Sequence, residues 1–419
     1  MANQNIFFAH SGGVTATINA TLSGVMYAYK KQSNHFNRLY VGCHGILGAL
    51  NEELIDVSNW TLNDIRALSM TPGSAYGSCR FKLQDPEKQA DEFARILSVF
   101  KAHQIGYFIY NGGNDSQDTT LKLANYCQQH DYPIICVGVP KTIDNDLVGT
   151  DHTPGFGSAA KYLATSVYEA SIDLAAMHKT STKVFILEVM GRHAGWLAAA
   201  TALAPKPFGP DLILMPERAF NEETFLHQVQ AHINDKGYCI VTASEGLLNA
   251  QGELWSANQN ERDAFGHQQL GGVGSQLAGL IQNSLKYKVH FAQADYLQRS
   301  ARHLAAKVDV DEAYRVGIEA IKYCQQRKSG VMVGIERVAN MPYRTRLRPV
   351  KLDVVANQEK KVPDHYIDAS GMQVTEQALE YLRPLIVGEA YPTYHNGLPL
   401  YRQFEGVQLS KKIDDSVLS

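Results

Sequence analysis

The sequence predicts an α/β protein built on two open, mainly parallel sheets with helices on both faces. Short apolar runs alternate with longer amphipathic segments along the chain, which is the rhythm of β-α-β units. Several runs are apolar at consecutive positions, as in "PIICVGV" at 133–139, a pattern typical of strands covered on both faces. Polar, glycine-containing loops follow several of these runs. In such folds ligands bind at the carboxyl ends of strands, so we expect an active site in a cleft between the two sheets.

The predicted strands are, in chain order, 5–10, 38–43, 105–110, 133–139, 183–189, 211–216, 238–244 and 330–336. Helical periodicity marks 121–130 and 311–327, and the acidic residues that open the second segment suit a helix N-terminus. The segment 259–275 is polar and rich in glycine, so we interpret it as part of a surface excursion.

The length of 419 residues is enough for two or three domains. We predict two Rossmann-like halves, 1–150 and 151–330, with the surface excursion near 255–290 inside the second half. The remaining segment, 331–419, is expected to pack back on both halves.

Composition argues against several classes of function. The formal net charge is −3 and the isoelectric point is near 6.6, so no basic surface for nucleic acid is expected. No apolar run reaches the ~20 residues of a membrane span, and the first residues lack the pattern of a signal peptide. The six cysteines show no CxxC spacing, and we interpret them as reduced core residues of a cytoplasmic protein.

Two glycine pairs follow predicted strands. "SGG" at 11–13 fits a tight turn and equally fits the approach of backbone to a phosphate at a helix start. Neither GxxxxGK[ST] nor GxGxxG occurs there, which argues against a nucleotide P-loop and a dinucleotide oxidoreductase. "GGNDS" at 112–116 fits a turn with a helix cap, and its oxygen atoms beside two glycines also suit Mg²⁺ with a phosphate chain.

A third loop, "PKTIDND" at 140–146, carries the strongest chemical signal. Asp144 and Asp146 lie two residues apart and share one side of an extended chain, and Lys141 precedes them. A lysine beside paired carboxylates suits phosphate binding together with a general base. A purely structural cluster is the alternative interpretation.

The loop "MGRHAGW" at 190–196 and the residue Glu245 follow two further predicted strands. Taken alone, Arg192 is interpreted as a surface arginine. His193 is interpreted as a packing or solvent-exposed histidine and is left out of the candidate site. Because five polar loops follow five predicted strands, together they indicate one shared cleft.

The motifs, in this order, resemble those of the phosphofructokinase family. They are "SGG", "GSCR" with Arg80, "GGNDS", "PKTIDND", "EVMGR" and "YLQR" at 296–299, and they run from residue 11 to residue 299. The helical pattern "DEAYRVGIEAIK" continues the resemblance. The resemblance implies that 1–150 holds the phosphoryl donor with Mg²⁺ and that 151–330 holds a sugar phosphate.

Two positions indicate which phosphoryl donor is used. Members of the family that use ATP carry glycine where this chain has Asp115 and Lys141. A carboxylate at the first position repels the α-phosphate of a nucleotide, and an ammonium at the second takes over charge on a shorter anion. The sequence therefore resembles the pyrophosphate-dependent members more closely. An ATP-dependent phosphofructokinase is one alternative. A non-catalytic sugar-phosphate sensor on the same fold is the other, and the presence of Asp144 and Arg192 argues against it.

Two further positions depart from the family pattern. Asn114 stands where the family usually has an aspartate that engages Mg²⁺, and an amide oxygen can still ligate the metal or hold a metal-bound water with less charge. Lys183 stands where better-studied members have an arginine that reaches the sugar phosphate of the adjacent subunit. Lysine keeps the charge and loses the two-pronged geometry of arginine. The resemblance thus implies a homodimer or homotetramer.

The resemblance implies a role for each candidate residue. Asp144, Lys141, Asp115 and Arg192 form the catalytic group, with Asp144 as the base for the 1-hydroxyl of fructose 6-phosphate. Asn114 and Asp146 lie near Mg²⁺. The substrate-binding residues are Gly13, Arg80, Thr142, Ile143, Asp144, Lys183, Met190, Gly191, Arg192, Glu245, Tyr296, Leu297, Gln298 and Arg299. In the implied reaction, pyrophosphate and fructose 6-phosphate give fructose 1,6-bisphosphate and phosphate, reversibly.

Overall fold

The computed structural model describes residues 4–32, 34–256 and 272–413, and it confirms the predicted α/β class with two main sheets. A separate two-stranded antiparallel ribbon lies within residues 394–399. The strands are β1 (Asn5–His10), β2 (Leu39–Gly42), β3 (Leu54–Asp56), β4 (Ile105–Gly112), β5 (Ile135–Pro140), β6 (Val184–Val189), β7 (Leu212–Leu214), β8 (Cys239–Ser244), β9 (Val289–Gln293), β10 (Val331–Asn340), β11 (Tyr343–Lys351), β12 (Tyr394–His395), β13 (Leu398–Pro399) and β14 (Val407–Gln408).

The α-helices are α1 (Ile18–Lys31), α2 (Leu47–Leu50), α3 (Leu62–Ser69), α4 (Ala90–Ala102), α5 (Asn114–Gln129), α6 (Phe156–Met177), α7 (Trp196–Ala200), α8 (Glu222–Lys236), α9 (Val273–Leu285), α10 (Asp295–Ser300), α11 (Lys307–Gln325), α12 (Leu352–Val355) and α13 (Glu376–Leu382). Short 3₁₀ helices lie at Thr201–Leu203, Arg302–Leu304, Asp364–Tyr366 and Arg383–Ile386.

The first sheet has the strand order β11-β10-β5-β4-β1-β2-β3-β14. Its central strands, from β10 to β2, are parallel, and antiparallel strands complete it at both edges. The second sheet, β7-β8-β6-β9, is parallel throughout. In the first sheet the chain leaves β1 toward β2 on one side and returns to β4 on the other. Such a switch in strand order opens a crevice at the carboxyl ends of these strands, where ligands bind in doubly wound folds.

Burial explains why the central strands are continuous apolar runs. All six residues of β1 are buried, and neighbouring residues face opposite cores. Ile6 and Phe8 pack toward α1 and α11, whereas Phe7 and Ala9 pack toward α4 and α5. The second sheet is covered in the same way, by α6, α7 and α13 on one face and by α8 and α9 on the other. Strands covered on both faces cannot alternate polar and apolar residues.

The predicted strands are all present, with ends that differ by a few residues, and further strands lie between them. β9 is an edge strand whose last four residues are exposed, and β11 alternates basic and less polar residues on an exposed hairpin. Neither forms a fully apolar run, so the sequence pattern did not distinguish them. The predicted helix 121–130 is the later part of α5, which begins at Asn114 with polar turns.

The surface excursion predicted near 255–290 differs from the structure where the chain is described. Residues 273–285 form α9, which buries Val273, Leu277 and Ile281 against the second sheet, and β9 follows it. The prediction was wrong there because an amphipathic helix starts directly after the glycine-rich stretch. Residues 257–271 of the predicted excursion lie outside the described residues.

The predicted division at residues 150 and 330 stays a prediction, and one element lies differently from it. α11, which that division gives to the second half, packs along α1 in the core of the first sheet. The C-terminal segment contributes β10 and β11 to the first sheet and residues such as Tyr381 and Leu385 to the core of the second.

α11 also fixes the chain that leads from β5 into α6. Asp309 accepts hydrogen bonds from the N–H groups of Gly155 and Ser158, at 2.8 and 2.9 Å, and so caps the start of α6. The His152 ring lies 2.6 Å from a Glu312 oxygen. Burial alone would lower the pKa of His152, but Glu312 and Asp151 outweigh it and raise the pKa to about 9, so the imidazole is charged at neutral pH.

All six cysteines are free thiols, and all but Cys43 are buried. Within the described ranges, every helix is too short or too polar to cross a membrane.

Candidate active site

Three cationic side chains meet at the glycine turn that follows β1. The ammonium of Lys141 donates a hydrogen bond to the Gly13 carbonyl at 2.6 Å. A methyl group built on Gly13 would lie 2.9 Å from the Arg299 guanidinium and 3.8 Å from that of Arg80. Gly12 takes a φ of +74°, which glycine adopts without steric cost. The bare turn therefore lets three positive charges converge on its backbone, an arrangement suited to an anion.

Lys141 is almost inaccessible to solvent, at 4% exposure. Burial is the main influence on its ammonium and lowers its pKa to about 8. The charge of Asp144 opposes this effect, whereas Arg299 and Arg80 add to it. An anion bound at the turn would stabilise the charged lysine and be held by it.

The loop 141–146 follows β5 and brings a carboxylate beside this cationic cluster. Thr142 Oγ1 donates to Asp144 Oδ2 at 3.1 Å, and the N–H of Asp144 donates to Thr142 Oγ1 at 3.0 Å. Burial raises the pKa of Asp144, while the Thr142 hydroxyl and the charges of Lys141 and Arg80 act against that rise. Ile143 anchors the loop by packing in the core of the second sheet. A carboxylate held in this way is suited to accepting a proton.

Two oxygen donors that follow adjacent strands, β4 and β5, fit a divalent cation. Burial, followed by the charge of Asp144, raises the pKa of Asp146 to about 7, because two carboxylates in one buried loop repel each other. A cation would relieve that repulsion. Asn114 Oδ1, at the start of α5, is buried and has no hydrogen-bond partner among the described residues. An acceptor without a donor is costly, and a metal or a metal-bound water would satisfy it.

Groups of three or more His, Cys, Asp or Glu side chains that could hold a metal are absent from the described part of the chain. Mg²⁺ commonly uses only one or two protein oxygens together with phosphates and waters. Asn114 and Asp146 therefore fit a Mg²⁺ that arrives with a phosphate chain, and they do not form a cage for a metal alone.

Asp115, the predicted determinant of donor choice, lies in the first turn of α5. Its carboxylate forms an ion pair with Lys82 at 2.6 Å, and both side chains are about half exposed, at 45% and 42%. A methyl group on the preceding Gly113 would approach only the Lys141 carbonyl, at 3.8 Å, so the space above this glycine is open. Asp115 therefore stands at the border of an open region beside the cationic cluster.

Hydrogen bonds to its backbone fix the conformation of the loop after β6. The N–H of Met190 donates to Gln298 Oε1 at 3.2 Å, and the N–H of Gly191 donates to Glu245 Oε1 at 3.3 Å. The Gly191 carbonyl accepts from Ser244 Oγ at 2.6 Å. Gly191 has a φ of +133°, a conformation open essentially to glycine alone.

Glu245 shows that the loops of the two sheets face each other. Burial, together with the charge of Asp144, raises the pKa of Glu245 to about 7, while the Gly191 N–H and Arg192 oppose the rise. Asp144 follows β5 of the first sheet and Glu245 follows β8 of the second. Arg299, in the helix that follows β9 of the second sheet, also reaches the turn at Gly13 after β1 of the first sheet. These loops therefore line one cleft between the sheets.

The four candidate residues of α10 differ in how far they are buried. Gln298 is 1% exposed and supports Met190 from behind, whereas Tyr296 and Leu297 are more than 60% exposed. The Arg299 guanidinium lies over the Tyr296 ring at 3.9 Å and reaches the turn at Gly13. Arg299 thus lies on the donor side in this structure, and its assignment to the 6-phosphate of the sugar stays a prediction.

Lys183 lies far from this cleft in its own chain. It precedes the first residue of β6, and its ammonium donates to the His178 carbonyl at 2.7 Å. Met190 follows the other end of the strand, so the six residues of β6, roughly 20 Å of extended chain, separate the two. A four-carbon side chain cannot span that distance.

Three residues of this region were not predicted from the sequence. Lys82 is two positions from Arg80 and so shares its side of an extended chain, a spacing that could have drawn attention to it. Asn145 lies within the quoted motif and has a φ of +54°. Lys360 contacts the same loop from the C-terminal segment, and the sequence contains no signal for that contact.

The chain is similar to known proteins in sequence and in fold. A family model described as "Phosphofructokinase" matches residues 5–324. The chain is 50% identical, over 418 residues and 99% of both chains, to a pyrophosphate–fructose 6-phosphate 1-phosphotransferase of Xanthomonas campestris pv. campestris. It also superposes on crystal structures of pyrophosphate-dependent phosphofructokinases at 46% identity. For that of Nitrosospira multiformis the TM-score is 0.91, covering 98% of this chain and 99% of that chain, and for that of Marinobacter aquaeolei it is 0.89, covering 98% of both.

Proposed function

This chain belongs to the phosphofructokinase family, and we propose that it transfers a phosphoryl group from pyrophosphate to the 1-hydroxyl of fructose 6-phosphate. The products are fructose 1,6-bisphosphate and phosphate, and the reversible reaction serves glycolysis and gluconeogenesis. The observation that carries the proposal is the approach of Lys141 and Arg80 to the turn at Gly13, beside the carboxylate of Asp144. The names of the full-length relatives support the same pair of substrates.

Asp144 accepts the proton of the 1-hydroxyl as that oxygen attacks the phosphorus of the transferred group. The bond between this phosphorus and the bridging oxygen breaks, and phosphate leaves with the bridging oxygen. Burial raises the pKa of Asp144, so its carboxylate is a stronger base than that of an exposed aspartate. Thr142 holds the carboxylate through its hydroxyl and orients it toward the sugar.

The donor is held by charge and by backbone. Lys141, Arg80 and the main chain at Gly13 bind pyrophosphate, and Arg192 faces the phosphoryl group in transfer. These groups stand where negative charge accumulates as the bridging bond breaks, which is how phosphoryl transfer is catalysed once the reactants are aligned.

The sugar phosphate lies along the loops of the second sheet. Met190 and Gly191 line the sugar, and Glu245 accepts hydrogen bonds from its hydroxyls. Tyr296 and Arg299 bind the 6-phosphate, Arg299 through a charge-assisted pair. Leu297 and Gln298 belong to the same helix, and Gln298 supports the sugar loop through the N–H of Met190.

Mg²⁺ is the proposed cofactor, and Asn114 and Asp146 would hold it when it arrives with pyrophosphate. When bound, it neutralises part of the negative charge of the donor. The residues Asn114 and Asp146 fit this role through an acceptor oxygen without a partner and through a carboxylate under repulsion.

One assay separates the proposal from an ATP-dependent phosphofructokinase and from a non-catalytic sensor. Purified protein is given fructose 6-phosphate and equal Mg²⁺, with pyrophosphate or with ATP. We expect kcat/KM for pyrophosphate to exceed that for ATP by at least about 10²-fold. Chelation of Mg²⁺ reduces turnover to background, and added Mg²⁺ restores it. A preference for ATP identifies the first alternative, and absence of turnover with both donors identifies the second.

We further propose a homodimer or homotetramer in which Lys183 binds the sugar phosphate of the adjacent subunit, because Lys183 lies at the end of β6 remote from its own cleft. Lys183→Ala should raise KM for fructose 6-phosphate about tenfold or more, the effect of losing a charged hydrogen bond, with little change in KM for pyrophosphate. Lys179→Ala, at an exposed neighbouring position, serves as the control. Sedimentation that shows an active monomer at assay concentration contradicts the proposal.

The free cysteines suit a reducing compartment, so we propose that the enzyme works in the cytoplasm.

A further inference from the structure

A short stretch of the C-terminal segment, 360–362, lies between the two loops that line the candidate cleft. It is outside the family model, which ends at residue 324. The N–H of Lys360 donates to the Asp146 carbonyl at 2.7 Å, and the Lys360 carbonyl accepts from the Trp196 indole N–H at 2.9 Å. Asp146 belongs to the loop after β5, and Trp196 begins the helix that ends the loop after β6. The main chain of one residue therefore joins both loops.

Glu217 forms a second link between the same segments. One oxygen of its carboxylate accepts from the N–H of Gly195 and from the N–H of Val362, each at 2.9 Å. A methyl group on Gly195 would lie 2.7 Å from this carboxylate, so only glycine lets the loop approach so closely. The loop 190–196, called here the sugar loop, is thus held at two adjacent residues. Trp196 bonds to Lys360 directly, and Gly195 is linked to Val362 through Glu217.

The side chain of Lys360 contacts the chain after β5, which carries Asp144 and Asp146. Its ammonium donates to the Asp151 carbonyl at 2.7 Å, to Asn145 Oδ1 at 3.3 Å and to the Thr150 carbonyl at 3.4 Å. It also lies 5.4 Å from the centre of the Trp196 ring. The lysine is therefore held by groups of both loops.

Tyr381 completes the support of Asn145. Its hydroxyl accepts from Asn145 Nδ2 at 3.0 Å and donates to the Asp151 carbonyl at 2.7 Å. Asn145 stands between the two carboxylates of the loop with a φ of +54°, a left-handed conformation that asparagine adopts more readily than most residues. The hydrogen bonds of both its side-chain atoms hold it there, since Asn145 Oδ1 also accepts from the Thr153 N–H at 3.1 Å.

We propose that Lys360 and Tyr381 are positioning residues for phosphoryl transfer, which hold Asn145 in its left-handed conformation and thereby set the direction of Asp144 and Asp146 in the cleft. The 360–362 stretch fixes this loop relative to the sugar loop. Asp144 is thereby placed beside the 1-hydroxyl of the bound sugar phosphate. The role rests on the proposed function and extends it to a part of the chain that the family model does not include.

The test removes one hydroxyl. Tyr381→Phe keeps the ring and loses both loop contacts. We expect kcat to fall about tenfold, because a small misplacement of the base is costly in rate, while KM for each substrate stays within about threefold. Tyr366→Phe is the matched control, since its ring packs against Trp196 and Tyr381 in the same cluster, and its kcat should stay within about twofold. Thermal unfolding of all proteins is measured in parallel.

A second pair of variants covers the case in which Tyr381→Phe does not fold. Lys360→Met keeps the length of the chain and removes the ammonium, and it should lower kcat in the same way. Lys360→Arg keeps the donors and should recover part of the loss. The positioning role is overturned if these variants lower the melting temperature but keep kcat within about twofold, or if Tyr366→Phe loses as much turnover. An inactive wild type contradicts the proposed function itself, whereas an active wild type with normal variants contradicts only the positioning role.

Discussion

Replacing Asp144 with asparagine is expected to lower kcat by at least ~10²-fold, in both directions of the reaction, which is the size of a lost general base. The change is nearly isosteric, and an amide can keep the contact with the Thr142 hydroxyl, so the loop should hold its shape. KM for both substrates should therefore change much less than kcat, because the groups that bind the donor, such as Lys141 and Arg80, remain in place. Steady-state rates with pyrophosphate and with fructose 1,6-bisphosphate plus phosphate provide the measurement.

Asp311→Asn is a suitable control for this experiment. Asp311 is exposed on α11, where it pairs with Lys307, so the same chemical change there should leave kcat unaltered. Near-normal turnover by a purified, folded Asp144→Asn protein would show that another group takes the proton. The assignment of the base would then be wrong, even if the donor is pyrophosphate.

The second large effect concerns the choice of phosphoryl donor. Lys141→Gly should lower kcat/KM for pyrophosphate by roughly 30- to 900-fold, since a charge contact in a dry site contributes about 2–4 kcal/mol. The structure supports this size, because Lys141 is almost fully buried and lies directly at the turn at Gly13. An exposed lysine could not contribute as much.

Asp115→Gly should act in the opposite sense. Removing its carboxylate relieves the repulsion of an α-phosphate and opens the region next to Gly113, so weak use of ATP should appear with only a partial loss of pyrophosphate activity. It also releases Lys82, which is paired with Asp115 at 2.6 Å and then becomes available to a longer phosphate chain. Asp115→Asn removes the charge and keeps the volume, so it separates repulsion from lack of space.

The comparison needs kcat/KM for both donors in the wild type, the two single variants and the double variant. The double variant should favour ATP more than either single one. Asp115 and Lys141 have different partners, Lys82 and the Gly13 carbonyl, so a large coupling between them is not expected. The explanation of donor choice fails if Asp115→Gly leaves ATP use at background while Lys141→Gly leaves pyrophosphate use untouched.

Much of the fold could be predicted because the central strands are apolar at nearly every position, as strands buried on both faces must be. β1, β5 and β8 are buried along their whole length, so each appears as a continuous apolar run whatever it packs against. Polar residues directly after such runs lie at the carboxyl ends of parallel strands. For this reason the sequence alone was enough to bring Gly13, Asp144 and Glu245 to one cleft.

The contacts between distant parts of the chain were decided only by the tertiary structure. β9 and β11 lie at sheet edges and are partly polar, so no apolar period marks them. Arg299 reaches the turn at Gly13 and Lys360 reaches the loop at Asn145 across more than two hundred residues. Periodicity reports whether a residue is buried and on which side of its own element it lies. It does not report which element it meets, because that depends on how helices and sheets of the whole chain pack together.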